Sequence, residues 1–285
     1  MTTVGGLGES RLLKLIKPYL AEQAGGDDAA VVESAGPFSV VSTDMSIEKV
    51  HFDLSWMSGE DAGWRALALA LGDLAAKGAT PAWVLTSVAI PRDWETDDLV
   101  AVFRGMDGLA KELGISIEGG DMSATEGPAV ISITVAGHAE RRPLPRSAAR
   151  AGWTVAVTGP LGASAMALRE RRALRPVPLI AEGRRLNLAG LCCGDISDGL
   201  IREMEKFAEM SGAGSMLRAA DVPVADGASL EEALTSGEEV QLVCTGPEEI
   251  VRKEGLRPIG VLSSDPRVRI DGGMELGRHG YDHFA

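Results

Sequence analysis

The chain has 285 residues, 45% hydrophobic and 24% charged, with a formal net charge of −13. That length allows one large domain or two ordinary ones, and the apolar share is ample for a buried core. The acidic balance excludes a phosphate-backbone reader, which needs clustered Lys and Arg, and is read either as plain solubility or as carboxylates gathered for divalent cations. In chain order, Leu12, Leu13, Leu15 and Ile16 recur at helical spacing and predict an amphipathic helix over Ser10–Leu20. GGDDAAVVE breaks it, Val31 and Val32 begin a strand-like stretch, and Phe38–Thr43 is a second one, with Asp44 at its end. The Ala- and Leu-rich Asp61–Lys77 predicts a helix, stopped by Gly78 and followed by Pro81. Trp83–Ile90 reads as a strand, Asp97–Leu113 as a helix closed by Gly114, Ile115–Glu118 as a lead into a Gly-Gly-Asp turn, and Val130–Val135 as a strand.

The Pro- and Arg-rich stretch Arg141–Gly152 marks a domain boundary, giving residues 1–140 and 141–285. Beyond it, Trp153–Thr158 is a strand, Gly159–Leu168 turns into a helix, and Arg169–Pro178 is a basic, solvated connection. A helix over Ser197–Met210 opens from an Asp-rich turn, and Val240–Thr245 and Ile259–Leu262 are short strands. Alternating strands and helices in both halves predict a two-domain α/β (α+β) protein. Cys192, Cys193 and Cys244 include no CxxC pair, so neither a zinc site nor a disulfide is expected and a reducing cytoplasm fits. No apolar run reaches the ~18 residues of a membrane span, and the expectation is no membrane and no nucleic-acid partner.

The acids fall at strand ends and glycine turns among small residues: Asp27 and Asp28 after Gly25-Gly26, Asp44, Asp73 in ALGDLAAKGA, Asp121 after Gly119-Gly120, and Asp195 and Asp198 in DISDG. Taken singly, each reads as a turn or cap residue. Taken together they suit magnesium, which wants oxygen ligands, and a shared cation would offset their mutual repulsion. Neither a GxxxxGK[ST] loop nor a protein-kinase HRD or DFG set is present.

The ordered set GGDDAAVV, VVSTDMSIEKVHF, ALALGDLAAKGATP, IEGGD, VTGPLGAS, DISDGL, SGEE and terminal GYDHF resembles the thiamine-monophosphate kinase family over nearly the whole chain. The central motifs are shared with the wider superfamily that includes aminoimidazole ribonucleotide synthetase, whereas His51-Phe52 and GYDHF look specific to the thiamine branch. The resemblance implies a two-domain aminoimidazole ribonucleotide synthetase-like fold. Its N-terminal mixed sheet with helices pairs in a homodimer, and its C-terminal α/β domain closes the active site. It implies transfer of a phosphoryl group from ATP to thiamine monophosphate with several magnesium ions. By the same carry-over, Asp28, Ser42, Thr43, Asp44, Asp73, Asp121, Asp195 and Asp198 match magnesium positions. Gly120, Asp121, Arg146 and Ser197 match ATP contacts, and His51, Glu238 and Tyr281 match substrate contacts. Asp44, Asp121 and Arg146 are expected at the centre of catalysis.

The residue types suit that chemistry. A phosphate acceptor is already anionic and needs little help from a base; repulsion between phosphates is the obstacle, which magnesium and an arginine fork relieve. His51 otherwise reads as a core histidine, Tyr281 as a C-terminal anchor, Glu238 as a loop acid and Arg146 as a surface arginine. The family's GEDYEL reads GEEVQL at Gly237–Leu242, Gly72 replaces a common Ser, and Lys77 replaces a common Met. The second domain also looks short between Gly162 and Asp195 and after Thr245. The altered motif keeps two rivals open: a superfamily enzyme with another substrate, and a nucleotide-binding homologue that has lost catalysis.

Overall fold

The computed structural model describes residues 15–19 and 36–282. Most of the first expected helix, Asp27 and Asp28, the stretch at Val31 and Val32, and His283-Phe284 lie outside the described residues. The chain folds into two compact units. One comprises residues 1–74, 81–138 and 171–177; the other comprises 75–80, 139–170 and 178–285.

In the first unit, β1 (Phe38–Ile47), β2 (Thr80–Pro91), β3 (Ser116–Thr125) and β4 (Val130–Ala139) form a sheet of order β1-β4-β2-β3. Helix α1 (Gly59–Ala76) precedes β2, and α2 (Thr96–Glu112) connects β2 to its parallel neighbour β3. Burial alternates along β2 and β4, as a sheet with one covered face requires. Leu67, Leu71 and Leu74 of α1 and Leu99, Met106 and Leu109 of α2 are fully buried, as are Val84, Ile131, Ile133 and Val135 of the sheet. Each such side chain contributes about 2 kcal/mol by leaving water. The two helices touch through glycines. A Cβ on Gly63 would stand 1.9 Å from the Val102 carbonyl, and one on Gly105 would stand 1.9 Å from the Glu60 carbonyl.

Three expectations change here. β1 does not end at Asp44 but runs to Ile47, because an edge strand tolerates polar side chains that a central one would not. Pro81 sits near the start of β2, ahead of the β2–β3 pairing that begins at Trp83, where a missing N–H removes no bond to β3. Gly119, Gly120 and Asp121 lie inside β3 and form no turn. The glycine serves close approach instead, since a Cβ on Gly120 would fall 1.6 Å from the Thr86 carbonyl of β2.

The stretch expected as a solvated connection is also corrected. Arg175 pairs with Asp61 at 2.6 Å and Glu60 at 3.1 Å, lies over the Trp64 ring at 5.6 Å, and Trp64 Nε1 donates to the Pro176 carbonyl at 2.8 Å. A basic side chain with an apolar stem can pack on an aromatic face and still meet acids, which composition alone does not reveal.

The second unit holds β5 (Thr154–Val157), α3 (Ala163–Arg169), α4 (Ile180–Ala189), β6 (Cys192–Asp195), α5 (Leu200–Ser211), β7 (Gly214–Leu217), α6 (Leu230–Thr235), β8 (Leu242–Gly246), α7 (Glu248–Lys253), β9 (Arg257–Ser263) and β10 (Val268–Ile270). The strands form one sheet of order β10-β7-β9-β5-β8-β6. β5, β6 and β8 are buried throughout, because both faces are covered. Val155, Val157, Cys192 and Val243 join the core made with α5 and α6. Their neighbours Ala156, Cys193, Leu242 and Cys244 join the core made with α4 and α7. This two-residue period places Cys192 and Cys193 on opposite faces. Cys193 lies directly opposite Cys244 on antiparallel β6 and β8, and the two form a disulfide. That corrects the expectation of no disulfide, and the cytoplasmic reading loses the support it drew from it. Motif spacing misses a pair that only strand register brings together.

Candidate active site

In the first unit, β1 supplies Ser42, Thr43 and Asp44, α1 supplies Asp73, and β3 supplies Gly120 and Asp121. Ser42 Oγ donates to Asp73 Oδ2, joining the strand to the helix. Asp44, two residues on, shares that side of β1 and is exposed, its Oδ1 accepting the Met45 N–H at 2.9 Å. Thr43 instead donates to the Ile133 carbonyl at 3.1 Å and accepts from Thr134 Oγ1 at 3.2 Å, which commits its hydroxyl to β4. Asp121 is exposed on β3, in register with Ser87. His51 follows β1 in a tight turn, where its N–H reaches the Ile47 carbonyl at 2.8 Å and its Nδ1 accepts the Ile47 N–H at 3.0 Å. In the neutral ring the proton is thereby left on Nε2.

In the second unit, β6 ends at the buried Asp195, and the turn Ile196–Gly199 leads into α5. Gly199 is the N-cap of that helix, with no side-chain cap bond, so Asp195 and Ser197 are not its caps. Arg146, on a single 3-10 turn, sets Nη2 3.9 Å from Asp195 Oδ1, and its Nε donates to Glu203 of α5. Lys206 Nζ donates to Asp198 Oδ2 at 2.8 Å and lies 3.6 Å from Glu203 Oε2. Burial pulls against the charge of Lys206, but the bond to Asp198 and the charges of Glu203, Asp198 and Asp195 hold it above the ordinary lysine value.

The same turn collects two of the three expected substrate residues, Glu238 and Tyr281, whereas His51 lies in the first unit. Glu238 N–H donates to the Ser197 carbonyl at 2.8 Å, and Tyr281 N–H donates to the Asp198 carbonyl at 2.9 Å. A Cβ on Gly237 would stand 2.1 Å from the Ser197 carbonyl, and one on Gly280 would stand 2.3 Å from that of Asp198. The glycine before each residue is what lets its main chain approach the turn.

The departures in GEEVQL have structural work. Glu239 is buried, and its Oε1 accepts from Gly162 N at 2.9 Å, Ser164 N at 3.1 Å and Ser236 Oγ at 2.8 Å. It thereby fixes the VTGPLGAS turn. Gln241 accepts from Thr158 Oγ1 at 2.8 Å. Lys77 donates to the Cys193 carbonyl at 3.0 Å, and burial lowers its pKa. Sequence reading missed Glu203, Lys206 and the role of Glu239. The spacing of Glu203 and Lys206, three apart on a helix, was the available signal.

Among the described residues no three His, Cys, Asp or Glu side chains gather as a ready metal site. The donors in each unit are nonetheless carboxylate and hydroxyl oxygens, the type magnesium takes. Ser42 and Asp73 touch already, and Asp195 and Asp198 flank one turn.

Glycine-backed acids on a mixed sheet, with no P-loop, define a class. Residues 26–139 match the family described as AIR synthase related protein, N-terminal domain. A thiamine-monophosphate kinase of Bacillus subtilis is 31% identical over 91% of this chain and 92% of its own length. The solved thiamine-monophosphate kinase of Stenotrophomonas maltophilia superposes with a TM-score of 0.80 at 27% identity, over 94% of this chain and 98% of that one. The structure described as AaThiL complexed with AMPPCP and TMP gives 0.79 at 29% identity, over 100% and 99%. The chain belongs to the thiamine-monophosphate kinase family.

Proposed function

We propose that the chain transfers the terminal phosphoryl group of ATP directly to thiamine monophosphate, giving thiamine diphosphate. What carries the reading is the meeting of three sequence-distant motifs: Glu238 and Tyr281 both bond through their main chains to the Ser197–Asp198 turn. The bound analogue and TMP of the AaThiL relative support the same substrate pair.

Asp28, Ser42, Thr43, Asp44, Asp73 and Asp121 would hold magnesium in the first unit, and Asp195 and Asp198 in the second. Magnesium, when bound, supplies charge neutralisation and in-line alignment of phosphate oxygens. Arg146 offers a planar cation to an ATP phosphate, and Gly120, Asp121 and Ser197 are the other proposed nucleotide contacts. His51 can donate from Nε2, Glu238 lies beside the turn, and the exposed Tyr281 ring can stack on a cationic thiazolium. No side chain needs to abstract a proton, because the acceptor oxygen is already anionic.

Residues 1–140 serve as the nucleotide, magnesium and dimer domain, and 141–285 as the domain that closes the site. A homodimer is supported by the edge strand β1, whose Phe38, Val41 and Met45 are 36%, 61% and 51% exposed. The need for ATP supports a cytoplasmic setting, and no helix among the described residues is long and apolar enough to cross a membrane.

The test is formation of thiamine diphosphate from thiamine monophosphate, ATP and magnesium, with a control lacking the metal. Magnesium-dependent product is expected. Folded protein that binds ATP but forms no product would point to another phosphorylated acceptor or to lost catalysis.

A further inference from the structure

Glu203 is one of the most deeply buried ionisable groups among the described residues, at 1% exposure, on a helix whose outer face is polar. Burying a carboxylate costs several kcal/mol unless its charge is matched, so its surroundings are informative. Oε1 accepts from Arg146 Nε, and Oε2 has no hydrogen-bond partner, with Lys206 Nζ at 3.6 Å. Room for the carboxylate exists only because residue 194 is glycine: a Cβ there would stand 1.9 Å from Glu203 Oε1. Phe207, one turn along α5, places its ring 5.9 Å from Arg146 Cζ. The guanidinium is therefore held at Nε by a charge-assisted bond and packed against an aromatic ring. Nη2 lies 3.9 Å from Asp195 Oδ1.

We propose that Glu203 is a positioning residue for nucleotide binding: it fixes the plane of the Arg146 guanidinium so that its Nη edge meets an ATP phosphate. The claim rests on the reading of Arg146 as an ATP contact. A long arginine that must adopt one rotamer for an anion loses side-chain entropy on binding. Arg146 has already lost it, because Glu203 and Phe207 hold the rotamer before the nucleotide arrives. Lys206 lies between the Glu203 carboxylate, at 3.6 Å, and Asp198, at 2.8 Å.

The experiment is a double-mutant cycle on the full chain, read as the dissociation constant for magnesium-ATP and as the separate KM values for ATP and thiamine monophosphate. Glu203→Gln is expected to weaken ATP binding and raise KM for ATP about tenfold, with KM for thiamine monophosphate unchanged. Glu203→Asp should recover part of the loss. In an Arg146→Ala background Glu203→Gln should add nothing. If Arg146→Ala weakens ATP binding but Glu203→Gln does not, the positioning role is overturned while the ATP contact stands. If Arg146→Ala leaves ATP binding unchanged, both fall. Should Glu203→Gln fail to fold, the wild-type protein still decides. The Arg146 Nε–H nuclear magnetic resonance signal, assigned by its loss in Arg146→Lys, should exchange slowly with water. Exchange as fast as that of exposed arginines overturns the proposal.

Discussion

The main-chain N–H of Tyr281 donates to the carbonyl oxygen of Asp198 at 2.9 Å. The bond carries the C-terminal motif to the turn that bears two of the proposed magnesium ligands, and Gly280 makes the approach sterically free. Tyr281 is thereby fixed at its main chain, while the residue is 45% exposed.

Tyr281→Ala keeps that main-chain bond and removes only the ring. The expected result is a rise in KM for thiamine monophosphate of roughly two- to thirtyfold, the range of a cation–π contact, with KM for ATP unchanged. Steady-state kinetics with each substrate varied in turn checks it. A change confined to ATP would place the ring against the nucleotide.

Asp44 is an exposed carboxylate on an edge strand whose Oδ1 accepts the Met45 N–H, a bond that an asparagine oxygen can keep, so Asp44→Asn should leave the melting temperature nearly unaltered. Turnover at limiting magnesium should fall on the order of a hundredfold and recover in part as magnesium is raised. Turnover equal to that of the wild type at limiting magnesium would remove Asp44 from the metal site.

Glu239 shows why the altered motif is tolerated. Glu239→Ala would strand the buried N–H of Gly162 and the half-buried N–H of Ser164 and should cost about 3 kcal/mol in urea unfolding. Burial raises the Glu239 pKa, against the pull of its hydrogen bonds. The folded value therefore lies above the unfolded one of about 4.3. The stability tied to it is present below that unfolded value and is lost as pH rises through the folded one. The stability of wild type relative to Glu239→Gln should accordingly shrink as pH is raised from about 4. A difference that grows with pH would contradict the buried carboxylate.

Helix and strand order was legible wherever periodicity was strong. The stretch Asp61–Lys77 became α1 and Val130–Val135 became β4, each with ends displaced by a few residues. The short strands at Cys192, Gly214 and Val268 and the helices at Ile180, Leu230 and Glu248 were not legible. Segments of three to ten residues are too short to carry a clear amphipathic signal. The motif residues were found by their order along the chain, but what each does locally was not. Gly120 read as a turn residue because the sequence shows a glycine and not the Thr86 carbonyl above it. Glu203 passed unnoticed because nothing in LIREMEKF tells which acid faces Arg146.

The Cys193–Cys244 bond closes a separation of 51 residues, which by chain entropy contributes about 4 kcal/mol. Thiol titration in denaturant without reductant should count one reactive group, Cys192, and three after reduction, with a lower melting temperature for the reduced protein. Three thiols before reduction would contradict the bridge.

The central claim is direct transfer between two phosphates. The most direct measurement follows label from ATP carrying a radioactive terminal phosphate, mixed with the chain, magnesium and thiamine monophosphate. The account predicts label in the terminal phosphate of thiamine diphosphate, in step with ADP formation, and none without magnesium. Label released only as inorganic phosphate, or transferred without thiamine monophosphate present, would contradict it.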